Sequence, residues 1–249
     1  MSVTPLSEAG EADIAPVAAL MADHARAAML TALLDGRPLA ASELARLAAV
    51  SAPTASAHLA KLLDGGLVTV LRQGRHRYYR LAGPQVAAAI EALSQLAPRP
   101  VVRSLRQSRQ AAALAEARTC YDHLAGRAGV TLLDLLLREG LLSEEGERGS
   151  GDLAALRYVV TRRGTARLEP FGINIDAIRA SRRRFAWACL DWTQRRPHLG
   201  GALGAAITGR LFELGWIEHG TRLRSVRVTP AGEEGLAATF GWAGDAAAS

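Results

Sequence analysis

Lysine is nearly missing from this chain: of 30 basic residues in 249, Lys61 alone is lysine and the rest are arginine. Arginine, alanine and glycine are abundant together, as the coding bias of a GC-rich genome produces. The net charge of +6 and pI of about 10.1 are therefore weak indicators, since arginine stays protonated at any relevant pH. The placement of the charge says more than its total. Cysteine occurs only at Cys120 and Cys189, which excludes a disulfide-built scaffold. No uninterrupted apolar run reaches membrane length and no basic-then-apolar signal segment opens the chain. A cytoplasmic protein with no membrane partner is the expectation. No nucleophile motif or glycine-rich phosphate loop is present, so no enzymatic activity is expected. The apolar fraction of 49% fits a globular chain long enough for one large or two small cores.

What is present is concentrated in residues 51–81, SAPTASAHLAKLLDGGLVTVLRQGRHRYYRL. Ser51 suits an N-cap, and Pro53 is tolerated in a first turn. Thr54, Ser56, His58 and Lys61 give this helix polar groups, while Leu59, Leu62 and Leu63 recur at helical spacing and are expected to face inward. Gly65 and Gly66 end it. Val68, Val70, Tyr78 and Tyr79 favour strands around a tight turn at Gln73-Gly74. Arg72, Arg75, His76, Arg77 and Arg80 crowd that hairpin. A solvated hairpin would explain single arginines. A cluster at one tip after a helix-turn-helix pattern favours phosphate contact instead.

Upstream, Leu20, Met21, His24, Met29, Leu30, Leu33 and Leu34 suggest two helices meeting near Ala22-Asp23, the second broken by Gly36-Arg37-Pro38. Residues 42–48 make another short helix, and Ala49-Val50 the turn into the next. This run resembles the ArsR-type winged helix-turn-helix regulators over about the first 97 residues. The matching positions include Leu20, Ala22, Asp23, Arg26, Leu44, Ala45, Ser51, Thr54, Ser56, His58, Leu59, Leu62, Gly66, Leu67 and Val68. The resemblance implies a DNA-binding repressor working as a homodimer on a palindromic operator. Two recognition helices would then enter successive major grooves. Ser51, Thr54, Ser56, His58, Lys61, Arg72, Arg75 and Arg77 are the expected DNA-contacting residues. Ala57 and Ala52 stand where longer side chains would read bases, which shifts the expected preference toward the wing and DNA shape. The Cys-x-Cys pair of the family's metal sensors has no counterpart in residues 43–48. Residues 84–97 offer only Glu91 of the ligands needed by the alternative site. No cofactor and no metal is expected from either.

Beyond residue 97 the character changes. Pro98-Arg99-Pro100 marks a boundary, after which a helix is expected from Val101 to Leu124, with Arg103, Arg106 and Arg109 as a basic stripe. Leu211–Ile217 echoes Leu62–Val68, and Thr161-Arg162-Arg163-Gly164 is related to Thr229-Pro230-Ala231-Gly232. A second domain with winged-helix character follows from this. The glycine-rich run from His198 suits close backbone approach or pocket formation better than base reading.

Two clusters, residues 118–126 and 189–198, are candidates for an effector pocket lined by Cys120, Tyr121, His123, Trp187, Cys189, Trp192 and His198. Simple core packing of the cysteines and a thiol- or metal-responsive sensor using Cys120 and Cys189 are the alternatives, although the spacings match no standard zinc motif. The expected fold is mainly α with small β-hairpin wings (α+β). It comprises a winged helix-turn-helix at 10–97, a linking helix at 98–117 and an effector domain at 118–245. The partners expected are double-stranded DNA, a second copy of the chain and a small-molecule effector. A winged-helix protein-interaction module is the reading from another class. The dimer surface is expected from residues 15–20, 85–97 and 101–117.

Overall fold

A computed structural model describes residues 12–74, 76–98, 104–146 and 156–243. Arg75, Arg99, Pro100 and Arg103 lie outside the described residues, as do the outer edges of the expected domains at 10–11 and 244–245. The chain divides into two units, residues 1–92 and 93–249.

In the first unit α1 (Ala15–Ala22) and α2 (His24–Leu33) meet at Asp23, whose carboxylate accepts the Arg26 N–H at 2.9 Å and caps α2. A two-residue strand, β1 (Leu39–Ala40), leads into α3 (Ala41–Leu47), where Glu43 accepts the Ala40 N–H and satisfies a first-turn donor. Ala49, at φ 54, makes the turn. Next come α4 (Ala52–Asp64), β2 (Val68–Gln73), β3 (His76–Leu81) and α5 (Pro84–Leu96). The sheet order is β1-β3-β2, all antiparallel. This is the winged helix-turn-helix. Leu30, Leu33, Leu44, Leu59, Leu62 and Leu81 are buried between the helices and the wing, each worth about 1.5–3 kcal/mol of transfer free energy. Leu63 departs from expectation: it is 39% exposed, because its position carries it off the stripe that Leu59 and Leu62 press into the core. The hairpin turn lies one residue later than expected, since Gln73 pairs with His76 and Gly74 takes φ 57.

The second unit begins with α6 (Leu105–Glu116). The helix expected to run to Leu124 stops here, at Ala117 in extended geometry. The chain then forms β4 (Arg118–Cys120) and β5 (His123–Ala125). Tertiary pairing overrides helix propensity, as the Thr119 N–H donates to Arg224 O at 2.8 Å and Val226 N–H to Ala117 O at 2.9 Å. Thereafter follow α7 (Gly126–Arg138), β6 (Leu142–Glu145), β7 (Arg157–Val160), α8 (Arg162–Leu168), α9 (Ile175–Ala180), β8 (Trp187–Leu190), β9 (Pro197–Gly200), α10 (Gly201–Glu213), β10 (Ile217–His219), β11 (Val226–Val228) and α11 (Pro230–Phe240).

Around α9 this unit is built twice. Hairpin, helix, hairpin, helix describes β4-β5-α7-β6-β7-α8 and again β8-β9-α10-β10-β11-α11. His123, Gly126, Gly129, Leu136 and Gly140 recur at a constant offset as His198, Gly201, Gly204, Leu211 and Gly215. The two halves exchange hairpins. β8 pairs with β7 to give a sheet in the order β6-β7-β8-β9, while β4 lies beside the residues preceding β11 through a bridge between Arg118 and Ser225. The expected likeness between the chain's two ends has a specific form. In α4, α7 and α10 alike a left-handed glycine (Gly66, Gly140, Gly215) closes the helix. One residue on, the N–H of Leu67, Leu141 or Trp216 donates to Leu62 O, Leu136 O or Leu211 O at 2.9 Å. One core joins both halves through Leu124, Leu133, Leu136, Tyr158, Leu199, Leu203, Leu211 and Phe240.

Gly129 and Gly204 let α7 and α10 lie against the strand ends before them. A methyl at either would overlap the carbonyl of Leu124 or Leu199, whereas Gly209 on α10 faces open space. We therefore expect Gly129→Ala and Gly204→Ala each to destabilise the protein by about 1–3 kcal/mol through overpacking. Gly209→Ala should instead stabilise by up to about 1 kcal/mol through helix propensity. Urea denaturation of the three variants checks the opposite signs.

Candidate nucleic-acid interface and a buried polar cluster

Ser51 caps α4 by accepting the Thr54 N–H at 3.4 Å, and the two hydroxyls lie 2.8 Å apart. Thr54, Ser56 and Lys61 are exposed on α4, as are Ala52 and Ala57. His58 is placed differently. Its ring is turned toward α2, with Nδ1 3.7 Å from the Asp23 carboxylate and 3.5 Å from the Arg26 guanidinium. Arg26 in turn donates to Leu20 O at 2.7 Å and Ala19 O at 2.8 Å. The Asp23 carboxyl is lowered from its ordinary value, chiefly by the Arg26 N–H at the helix cap, then by the charges of Arg26 and His58 and against partial desolvation. Asp23, Arg26 and His58 thus brace α4 against α1 and α2, a role that their spread over 36 positions of sequence conceals.

On the wing, Arg72 and Arg77 are exposed and stand directly opposite each other across β2 and β3. Like charges facing each other in a sheet are destabilising, and an anion between them relieves that cost. Arg80, also exposed, donates to Thr69 Oγ1 at 3.3 Å. Arg75 belongs to the same expected set and lies outside the described residues.

In the second unit the residues expected to line an effector pocket fall into two groups. Cys120 and His123 are partners across β4 and β5, and Cys189 and His198 are partners across β8 and β9. The expected helical spacing of the first pair is replaced by hairpin pairing. All four are buried, and one ligand atom from each lies within 4.8 Å of every other. The sulfurs are 3.9 Å apart and the imidazoles are stacked with centroids at 5.1 Å. Trp187 packs against the thiol pair. Trp192 lies over the Arg118 guanidinium at 4.7 Å, and Tyr121 turns the first hairpin at φ 62. None of these seven residues lines the cleft of about 720 Å³ that runs along α6, α7 and the β10-β11 hairpin, with Glu116, Arg127, Glu218 and Arg227 among its lining residues.

Two carboxylates behind the cluster complete it. Asp122 Oδ1 is 3.4 Å from His123 Nδ1 and its other oxygen meets Arg183 at 2.8 Å. Asp191 is fully buried with Arg118. Arg118 Nη2 approaches Asp191 Oδ2 to 2.9 Å outside hydrogen-bond geometry, so that contact is ionic. Asp191 also accepts N–H groups of Gly126 (2.6 Å), Thr193 (2.8 Å) and Gln194 (3.0 Å), and the Thr193 hydroxyl at 2.6 Å. Burial opposes its ionisation, but Arg118 and these donors outweigh burial and hold the carboxyl down to about 2. His198 Nδ1 lies 3.8 Å from the same carboxylate. Burial, then the neighbouring His123, push His198 well below the usual histidine range. His123 goes the other way: burial opposes its charge, but the Cys120 sulfur and Asp122 raise it to about 9. Both acidic partners sit inside clusters that the sequence exposes. The signal that singles them out is the duplicated Cys…His-Leu-x-Gly pattern, which becomes visible only when the two hairpins are aligned.

Comparison with known proteins agrees with this architecture. The helix-turn-helix domain family matches residues 21–70. The HTH-type transcriptional regulator YdfF of Bacillus subtilis (strain 168) is 42% identical over 221 residues, covering 89% of this chain and 94% of its own. Among solved structures, reduced HlyU from Vibrio cholerae is 30% identical, with a TM-score of 0.34 over 39% of this chain and 100% of its own. A homodimeric winged helix-turn-helix DNA-binding domain from Mycobacterium bovis is 32% identical, with a TM-score of 0.33 over 39% of this chain and 87% of its own. The fold and the near-full-length relative define a class, the DNA-binding transcriptional regulators. Within it, the chain belongs to the family of HTH-type transcriptional regulators that includes this relative. Among the described residues no helix is long and apolar enough to cross a membrane.

Asp191→Ala would leave Arg118 charged and buried with no ionic partner. We expect a loss of about 3–5 kcal/mol, measured as a lowered midpoint in chemical denaturation of the second unit's transition. Asp134→Ala, which removes an exposed partner of Arg196, should change stability by less than about 1 kcal/mol.

Proposed function

We propose that the protein represses transcription by binding a two-fold symmetric operator as a homodimer. In this reading Ser51, Thr54, Ser56 and Lys61 of α4 face the major groove, and Arg72, Arg75 and Arg77 of the wing attract the phosphate backbone. His58 acts from behind, holding α4 in place through Asp23 and Arg26. The observation that carries the reading is the cross-strand pair Arg72 and Arg77, two exposed like charges that a polyanion would neutralise. Exposed Ala52 and Ala57 offer no hydrogen bonds to base edges. Operator preference therefore rests on few direct contacts and on DNA shape. Each element expected to take part in dimer contacts leaves apolar side chains exposed: Val17 on α1 with Ile14 just before it, Leu93 and Leu96 on α5, and Leu105 on α6. A small-molecule effector acting through the second unit would shift the spacing of the two recognition helices.

The test is fluorescence anisotropy with a duplex recovered by in vitro selection and with an unrelated duplex, each at several salt concentrations. The Arg72→Ala, Arg77→Ala double variant should weaken binding to both duplexes. It should also reduce the slope of log K against log salt by about 0.9 for each phosphate that the variant no longer neutralises. His58→Ala should lower the thermal midpoint of the first unit and weaken both duplexes by the same factor, without altering their ratio. Unchanged affinity and slope in the arginine variant would remove the wing from the interface.

A further inference from the structure

We propose that Cys120, His123, Cys189 and His198 form a binding site for one thiophilic divalent cation, zinc by its chemistry, at the junction between the two halves of the second unit. It is independent of how the first unit engages DNA.

The donor set comes first. Two thiolates and two imidazoles are the ligands of closed tetrahedral zinc sites. In such a site, bonds of about 2.3 Å from metal to sulfur place the two sulfurs about 3.8 Å apart. The Cys120 and Cys189 sulfurs here are 3.9 Å apart. All four donor atoms lie within 4.8 Å of one another, so they converge on one point.

The second observation is the state of the imidazoles. Both ring nitrogens of His198 are buried without a hydrogen-bond partner. Leaving a buried polar group unpaired is costly, and a bound cation would accept the lone pair of one nitrogen on each ring. The remaining nitrogens already face carboxylates, His123 Nδ1 toward Asp122 at 3.4 Å and His198 Nδ1 toward Asp191 at 3.8 Å. A carboxylate behind each metal-bound imidazole is the arrangement that fixes ring orientation and raises ligand basicity. Nε2 is then the coordinating atom of both rings.

Charge is the third. Two thiolates neutralise a divalent ion, so the filled site is electrically neutral among buried side chains, beside the equally neutral Arg118–Asp191 pair. A disulfide between the two cysteines would account for the sulfurs but leave the four-membered convergence and the unpaired imidazole nitrogens without a cause. Symmetry is the last. Each half contributes one cysteine and one histidine from the same hairpin register, and the ion would fasten the exchanged hairpins together.

The experiment is a cobalt(II) titration of the reduced, chelator-treated full-length protein, read by visible and near-ultraviolet absorption. One equivalent should give the intense d–d bands of tetrahedral cobalt and a sulfur-to-cobalt charge-transfer band, and stoichiometric zinc should bleach both. Zinc should also raise the thermal midpoint and shield both thiols from alkylation until a chelator is added. Cys120→Ser with Cys189→Ser should abolish the charge-transfer band in protein whose circular dichroism is unchanged. If that variant does not fold, thiol shielding in the unsubstituted chain decides the matter alone. Asp122→Ala should weaken zinc binding about 10–100-fold while keeping the tetrahedral spectrum. A pale octahedral spectrum without charge transfer, thiols that zinc leaves unshielded, or a spectrum unaltered by the cysteine substitutions would each overturn the site.

Discussion

The ion pair between Arg118 and Asp191 is the contact on which the second unit is organised. Neither side chain reaches solvent, and removing two such charges from water costs several kcal/mol for each. That cost is offset because Asp191 is saturated. It takes N–H groups from the start of α7 and from its own turn, plus the Thr193 hydroxyl, while Arg118 also donates to Leu114 O at 3.2 Å and lies beneath Trp192. One carboxylate therefore ties the first hairpin, the first long helix and the turn of the second hairpin to a single point. The Cys–His cluster stands on that point. Its four members come from two hairpins whose relative placement this pair determines, so the geometry of the sulfurs and imidazoles is inherited from a charge interaction to which none of them contributes a charge.

The first unit solves its positioning problem by a related but cheaper device. Asp23 caps α2 and faces His58, while Arg26 staples the end of α1, so three polar side chains near the surface orient α4. Above that brace the outward face of α4 is short of side chains able to read bases, and the wing carries facing arginines. On the proposed reading, generic attraction to the DNA backbone and selective reading of sequence would be divided between two elements, with facing arginines on the hairpin.

The winged helix-turn-helix is legible in the sequence because its signals are local. The Ser51 cap, the Leu59–Leu62 stripe, the glycine stop and the alternating strands each declare themselves within a few residues. Leu63 escapes that pattern because the buried stripe of α4 is centred on Ala55, Leu59 and Leu62, and Leu63 falls at its edge. In the second unit the departures have one cause. Residues 117–124 carry nothing that breaks a helix, yet they fold back on themselves as a hairpin that also pairs with Arg224 and Ser225, far along the chain. The four buried donors all stand out in the sequence, but as two separate clusters. Cys120 and His123 are separated by two residues while Cys189 and His198 are separated by eight, and the longer turn from Asp191 to Arg196 hides that they are copies. The repeat is carried by glycines and cap residues, whose identity follows backbone geometry.

The exchange of hairpins between the two halves bears on how this unit comes to exist at all. As the chain emerges during synthesis, β6 and β7 are complete long before β8 is made, and β4 must wait for the residues around Ser225. Until then each half presents an open sheet edge, the feature by which strands of different molecules find one another. A polypeptide ending between the halves would keep those edges bare. The arrangement that buries them also makes the two halves a single folding event, completed only when nearly the last strand has arrived.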